Sequence, residues 1–475
     1  MSRAERNGSH GTARLGPTDP ERVELIPNEG SAHSYNPRCG LLGRLHRHEE
    51  SESEASDCPY CHAGLQPRNA KRTLTRSLIP LLFLWATALF PATGLPTREE
   101  VQQTLAELSA ITGFPIKHPV AFESITRDQI NRYLQDRIKE ATKPSELRAE
   151  ELTLKKFGFV PANFDLRKNT IDLLTEQAAA FYDFHRKKLF ISDWAQTSMR
   201  DVALIHELAH ALADQSFSLE KFTRKVEQDS EKSLARQAVV EGQAVWLTGA
   251  VIARREGRSK AKAPSGDDAE PNGPFPVFDE APLYIRENLI FPYSAGEQFQ
   301  DAVYDKDQKA ALTEVFRNPP VSSQQVLHPD KYFTHVLPTL PDLPKDPKGA
   351  KRFAEGVMGE LDHSVLLRQY TTRDDAQEIA PKLAGSQYRL LDGKPANGNT
   401  HPVLLVYVSE WRDPETARRF FHLYRKVLEG KWKKLRIASE SEFVLTGEGD
   451  DGWFRVKLDG KIVRSSEGWP TPVQP

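Results

Sequence analysis

One pentapeptide constrains this chain more than any other feature: His206-Glu207-Leu208-Ala209-His210. Two imidazoles four positions apart stand one turn apart on one face of an α-helix, where both reach a single metal ion. The carboxylate beside the first imidazole then lies next to the metal's open position, where it can take a proton from water. The flanking residues read as helix, because Val202, Leu204, Ile205, Leu208, Ala209 and Leu212 form a broad apolar face. The pattern occurs once in the chain. The bland alternative is a structural helix whose two histidines share this spacing by chance.

A catalytic zinc ion usually has three protein ligands and a water. Glu241 is the best candidate for the third ligand, with thirty residues between it and His210. It sits in the apolar run Leu234 to Trp246, where a carboxylate is costly unless it is paired or bound to metal. Gly242 and Ala244 keep that helix thin, so a second helix can approach it closely. A solvent-facing glutamate on an amphipathic helix is the alternative. Asp214, Glu227 and Asp229 are rival ligands; Asp214, one turn past His210, is better placed to orient a ligand than to be one.

These residues carry a resemblance. The Glu241-Gly242-x-Ala244 pairing after His-Glu-x-x-His-Ala-Leu-x-Asp-Gln resembles the gluzincin superfamily of zinc metallopeptidases. More narrowly, the chain resembles a bacterial and archaeal group of metallopeptidases whose substrates are unknown. Ala179 to Asp183, Lys188 to Ser192, Phe291 to Phe299 and Pro319 to Tyr332 are similar to segments of that group, and the resemblance spans roughly residues 97 to 465. Lys306 to Ala310 stands where related chains often carry a Gly-Gly-Trp turn. The resemblance implies that His206, His210 and Glu241 hold Zn2+ and that Glu207 is the general base of peptide hydrolysis. It implies that Ala178 to Tyr182 or Leu189 to Ser192 lines a groove for the peptide backbone. It also makes His328 and Tyr332 candidates for stabilising the oxyanion, with Tyr293 a further one. A capping or packing role is the alternative for His328.

The 475 residues suffice for two or three domains, and a formal net charge of −2 gives no reason to expect nucleic acid as a partner. Residues 1–70 are polar and read as a disordered cytoplasmic tail, or as lying upstream of the true translation start. They hold all three cysteines, Cys39, Cys58 and Cys61, so disulfides cannot staple the rest. Cys58-Pro-Tyr-Cys61-His62 matches a haem-attachment pattern, but it precedes what reads as an export signal. A small zinc site with His46, His48 or His62, or unpaired thiols, is the alternative. Ser77 to Thr97 carries no charge and follows Arg68, Lys71, Arg72 and Arg76. That is the plan of a signal peptide over 71–95, or of a membrane anchor through 77–97; either puts the catalytic part outside the cytoplasm.

The expected class is α+β. A mainly helical zincin-like domain with a small antiparallel sheet occupies 96–340, and a smaller α/β domain occupies 341–475. Helices are expected over 97–115 and 124–157, a strand pair over Ile171–Tyr182 and Lys187–Ser192, and a flexible loop over 255–275. After a Pro-rich linker at 338–348, a helix is expected over about 350–369, then strands at Gln387–Leu391 and Val403–Val408. A helix at Pro414–Leu428 and strands near Leu435, Phe443, Trp453 and Ile462 complete the unit. The expected partner is a peptide or protein substrate. The rival class is a non-hydrolytic binding or assembly factor of the cell envelope, with zinc in a closed four-ligand site; a second rival makes the cysteine cluster a metal or redox sensor.

Overall fold

The computed structural model describes residues 95–194, 197–258, 275–393 and 402–472. Thr97 starts helix α1 (Arg98–Thr112): its hydroxyl accepts from the Glu100 amide, the Glu100 carboxylate accepts from the Thr97 amide, and Gly113 closes the helix in the left-handed region. After strand β1 (Ala121–Ile125), Thr126 and Gln129 build the same reciprocal cap on α2 (Arg127–Ala141). The spacing over 124–157 predicts one helix, but two form. Pro144 disfavours continuation of α2 and opens α3 (Pro144–Phe157) at its first turn.

Asp165 caps α4 (Leu166–Gln177) by accepting from the Lys168 amide. The expected strand over Ile171–Tyr182 is therefore helical as far as Gln177. Only β2 (Ala180–Asp183) is extended, and it turns back as β3 (Lys188–Ser192). Strand β3 lies between β1 and β2, parallel to β1 and antiparallel to β2. The small sheet is thus mixed rather than antiparallel, because β1, absent from the sequence expectation, joins it.

The motif helix α5 (Thr197–Phe217) packs under this sheet and is buried continuously from Ala203 to Asp214. The short α6 (Leu219–Arg224) leads to α7 (Ser230–Arg255), whose N-terminus Asp229 caps. Next come α8 (Pro276–Glu280) and α9 (Leu283–Asp307), the latter with Pro292 inside it. The short α10 (Ala311–Arg317), α11 (Ser323–Leu327) and α12 (Pro329–Phe333) follow. Helices α7 and α9 run in close contact at Gly242 and Gly296.

The rest of the chain builds a larger sheet. The expected helix at about 350–369 starts as strand β4 (Lys351–Gly356) and becomes helical only in α13 (Glu360–Tyr370), followed by α14 (Arg373–Ile379). Strands β5 (Leu383–Asp392) and β6 (Val403–Trp411) precede α15 (Pro414–Lys431). Then come β7 (Arg436–Glu440), β8 (Val444–Gly449), β9 (Gly452–Asp459) and β10 (Ile462–Trp469). Their order is β4-β5-β6-β10-β9-β8-β7, every pair antiparallel.

Strands gathered into two sheets, apart from the helices, make the class α+β. The hydrophobic core does not stop near residue 340. One cluster joins Phe157, Phe299 and Val326 to Val365, Tyr407, Phe420 and Phe454. No helix among the described residues is long and apolar enough to cross a membrane. The cysteine cluster and nearly all of the uncharged segment at 77–97 lie outside the described residues.

Candidate metal centre

Helix α5 presents His206, Glu207 and His210; helix α7, packed against it, presents Glu241. His206 Nε2 lies 3.1 Å from Glu241 Oε2 and 3.0 Å from His210 Nε2, and His210 Nε2 lies 3.3 Å from the same carboxylate oxygen. A tetrahedral ion with bonds of about 2.0–2.1 Å sets its ligand atoms about 3.3 Å apart. The three observed separations are therefore those of ligands converging on one such ion. Among the described residues this is the one His/Cys/Asp/Glu group that can hold a metal. Glu241 Oε1 is buried with no hydrogen-bond partner, a costly state that a cation relieves.

The electrostatics agree with that fit. All four side chains are buried, with Glu241 at 0% exposure and the other three at 1%. Burial pushes the His206 imidazolium down to about 4 and the Glu207 carboxyl up to about 8. Burial also opposes charge on His210 and Glu241, but each offsets it for the other: the Glu241 carboxylate raises His210, and His210 with His206 lowers Glu241. Glu241 is thereby favoured as a carboxylate, the form that binds a cation. His206 is held in its neutral, ligating form.

Glu207 is fixed by a backbone group. Its Oε2 accepts from the Tyr182 amide of β2 at 2.7 Å, while its buried Oε1 has no partner. Sequence patterning gave no signal for this, because the donor is main chain. Around the histidines, the Phe184 ring meets His210 edge-on at 6.0 Å, and the Tyr293 ring stacks on His206 at 6.1 Å.

The other candidates lie apart from the group. His328 Nε2 is 2.7 Å from Glu360 Oε1 at the start of α13, and the Tyr332 hydroxyl donates to the Asn318 carbonyl at 2.7 Å while its ring packs on Phe299. Of the three oxyanion candidates, Tyr293 alone contacts a residue of the metal group through a described ring contact. Asp229 is the α7 cap, bonded to the Lys232 amide and ammonium, and Glu227 is half-buried outside the group. Asp214 is not a ligand: its Oδ2 accepts from the Tyr182 hydroxyl and from Lys187 Nζ, and its Oδ1 accepts from the Leu219 amide. Both edges of β3 are filled by β1 and β2, so Leu189–Ser192 has no edge to offer a peptide, and β2 is the outer strand next to Glu207.

Compared with protein-family models, with curated proteins and with solved structures, the chain has no match.

Proposed function

We propose that this protein is a gluzincin-like zinc metallopeptidase that hydrolyses peptide bonds in peptide or protein substrates. His206, His210 and Glu241 would hold the zinc ion. The observation that carries this reading is the set of three donor atoms at tetrahedral spacing beside a fourth group, Glu207, that is buried and half uncommitted. A structural zinc site has no use for that acid. A zinc ion bound there lowers the pKa of a water and polarises a carbonyl. A cation on the three donors would favour Glu207 as a carboxylate; anchored through Oε2 by the Tyr182 amide, it would then have Oε1 available to take a proton from the attacking water and return it to the leaving amine. The outer strand β2 can align a peptide by main-chain pairing. The uncharged segment at 77–97 supports action outside the cytoplasm, by export or by membrane anchoring.

One observation favours a second reading, a non-hydrolytic zinc-containing binding or assembly factor of the cell envelope. The four groups are almost wholly buried, as in a closed site. Incubating the zinc-loaded full chain with a mixed peptide library, with Glu207→Gln as the blank, separates the two. Zinc-dependent cuts that fall by about 10²–10⁴-fold in the blank are expected for loss of a general base. Equal cutting by both proteins removes Glu207 from the reaction; no cutting by folded, zinc-loaded protein favours the second reading.

A further inference from the structure

Tyr182 is tied at both ends. Its amide donates to Glu207 Oε2 at 2.7 Å, and its hydroxyl donates to Asp214 Oδ2 at 3.1 Å. Glu207 and Asp214 are seven residues apart on α5, two turns along one face, so this one strand residue spans both turns. Asp214 is itself immobilised. It is buried, and it accepts from Lys187 Nζ at 2.7 Å, in the turn between β2 and β3, and from the Leu219 amide at 2.8 Å, at the start of α6. Lys187 makes that reach from a left-handed backbone conformation, φ 55°, which is uncommon for a non-glycine residue. The opposite side of β2 is paired to β3, with Tyr182 facing Leu189. Strand β2 is thus pinned in the direction perpendicular to the sheet edge by its ladder, and along α5 by the Tyr182 hydroxyl.

We infer that Asp214 is a positioning residue for Glu207, acting through Tyr182: the phenol–carboxylate bond sets where the Tyr182 amide stands, and that amide sets the orientation of the Glu207 carboxylate. The inference rests on the reading of Glu207 as a general base for its effect on turnover, but the positional link itself does not. A carboxylate with one oxygen held by a main-chain donor keeps the other aimed in a fixed direction. A freed one turns over a broad range about its last torsion. Asp214 therefore serves the metal site without touching a ligand.

Tyr182→Phe removes the hydroxyl and keeps the amide, the ring and the packing, so it is the cleanest variant. Asp214→Asn keeps an acceptor for the hydroxyl and serves as the conservative rescue; Asp214→Ala removes it. The first readout is amide hydrogen exchange at residue 182 in the full chain, loaded with zinc. Exchange there should accelerate about tenfold in Tyr182→Phe and in Asp214→Ala, from loss of a bond with a net worth of about 1.4 kcal/mol, and return toward wild type in Asp214→Asn. The Leu189 and Ile191 amides should keep their protection, and bound zinc should be unchanged. The second readout is peptide turnover: kcat should fall about tenfold in Tyr182→Phe with KM within about twofold of wild type. Unchanged exchange at residue 182 overturns the link. Faster exchange with kcat unchanged in an active enzyme also overturns it, because Glu207 is then positioned by something else. If the wild type shows no Glu207-dependent turnover, the proposed function fails, and the exchange data alone still decide the link.

Discussion

The backbones of Gly242 and Gly296 touch: a Cβ placed on Gly242 would lie 2.0 Å from the Gly296 carbonyl carbon. Glu241 is the neighbour of Gly242, so this contact between α7 and α9 fixes the helix that carries the third candidate metal ligand. A methyl group there meets main chain, which cannot rotate out of the way. Gly242→Ala should cost about 3 kcal/mol, the upper end for overpacking, and weaken zinc binding as α7 shifts. Gly249 lies on the same helix with nothing within 4 Å of its notional Cβ. Gly249→Ala should stabilise the protein by about 0.5–1 kcal/mol, since glycine carries that penalty in a helix. Urea unfolding of both variants, with zinc content measured alongside, checks the pair. Equal effects would mean that the close approach is not what fixes α7.

A second buried contact makes stability depend on pH. His363 is fully buried; its Nδ1 faces the Gly359 carbonyl at 2.7 Å and its Nε2 faces the Tyr407 hydroxyl at 2.5 Å. A neutral ring with hydrogen on Nδ1 satisfies both, donating to the carbonyl and accepting from the phenol. Burial holds the imidazolium below its ordinary value of 6.5, although Gly359, Asp362 and Glu360 pull the other way. The unfolded chain binds a proton before the folded one does. The stabilisation is therefore complete above about pH 6.5 and is lost as pH falls toward the lower folded value. His363→Gln, which still offers a donor and an acceptor, should show a smaller loss of stability than wild type between about pH 7.5 and about pH 5.5. Parallel losses in the two proteins would remove His363 as the cause.

Lys431 and Glu467 form an ion pair at 2.5 Å with side chains 2% and 0% exposed. Lys431 Nζ also donates to the Lys156 carbonyl, and Glu467 Oε1 accepts from the Tyr424 and Ser465 hydroxyls. Breaking such a pair from one side leaves a buried charge alone. Lys431→Met should cost about 3–5 kcal/mol in urea unfolding, and adding Glu467→Gln should recover much of it. Additive losses in the double variant would show that the two charges are not coupled.

The metal group was legible in sequence because its geometry is local or nearly so. The 206–210 spacing fixes two ligands on one helical turn, and a carboxylate in an apolar run, Glu241, demands a partner. The helix expected at Pro414–Leu428 forms as α15, whose N-terminus Asp413 caps, and strands form around Trp453 and Ile462 as expected. Ile171, Leu173 and Leu174 suit either a strand or a helix, and the Asp165 cap favours the helix. The register of β1 beside β3 and the Tyr182 amide on Glu207 are tertiary, main-chain contacts that carry no side-chain signature. His328 and Tyr332 were candidates by likeness alone, and their polar atoms are taken up by Glu360 and by the Asn318 carbonyl.

X-ray absorption at the zinc edge of the purified full chain, compared with His210→Ala, reads the metal's ligands directly. The expected result is a zinc ion bound by two imidazole nitrogens, one carboxylate oxygen and one non-protein oxygen at about 2.0–2.2 Å, and loss of that signal in the variant. Zinc ligated only by sulfur at about 2.3 Å and unaffected by the variant would place it on the cysteines instead, and would contradict the account. So would a protein that binds no zinc.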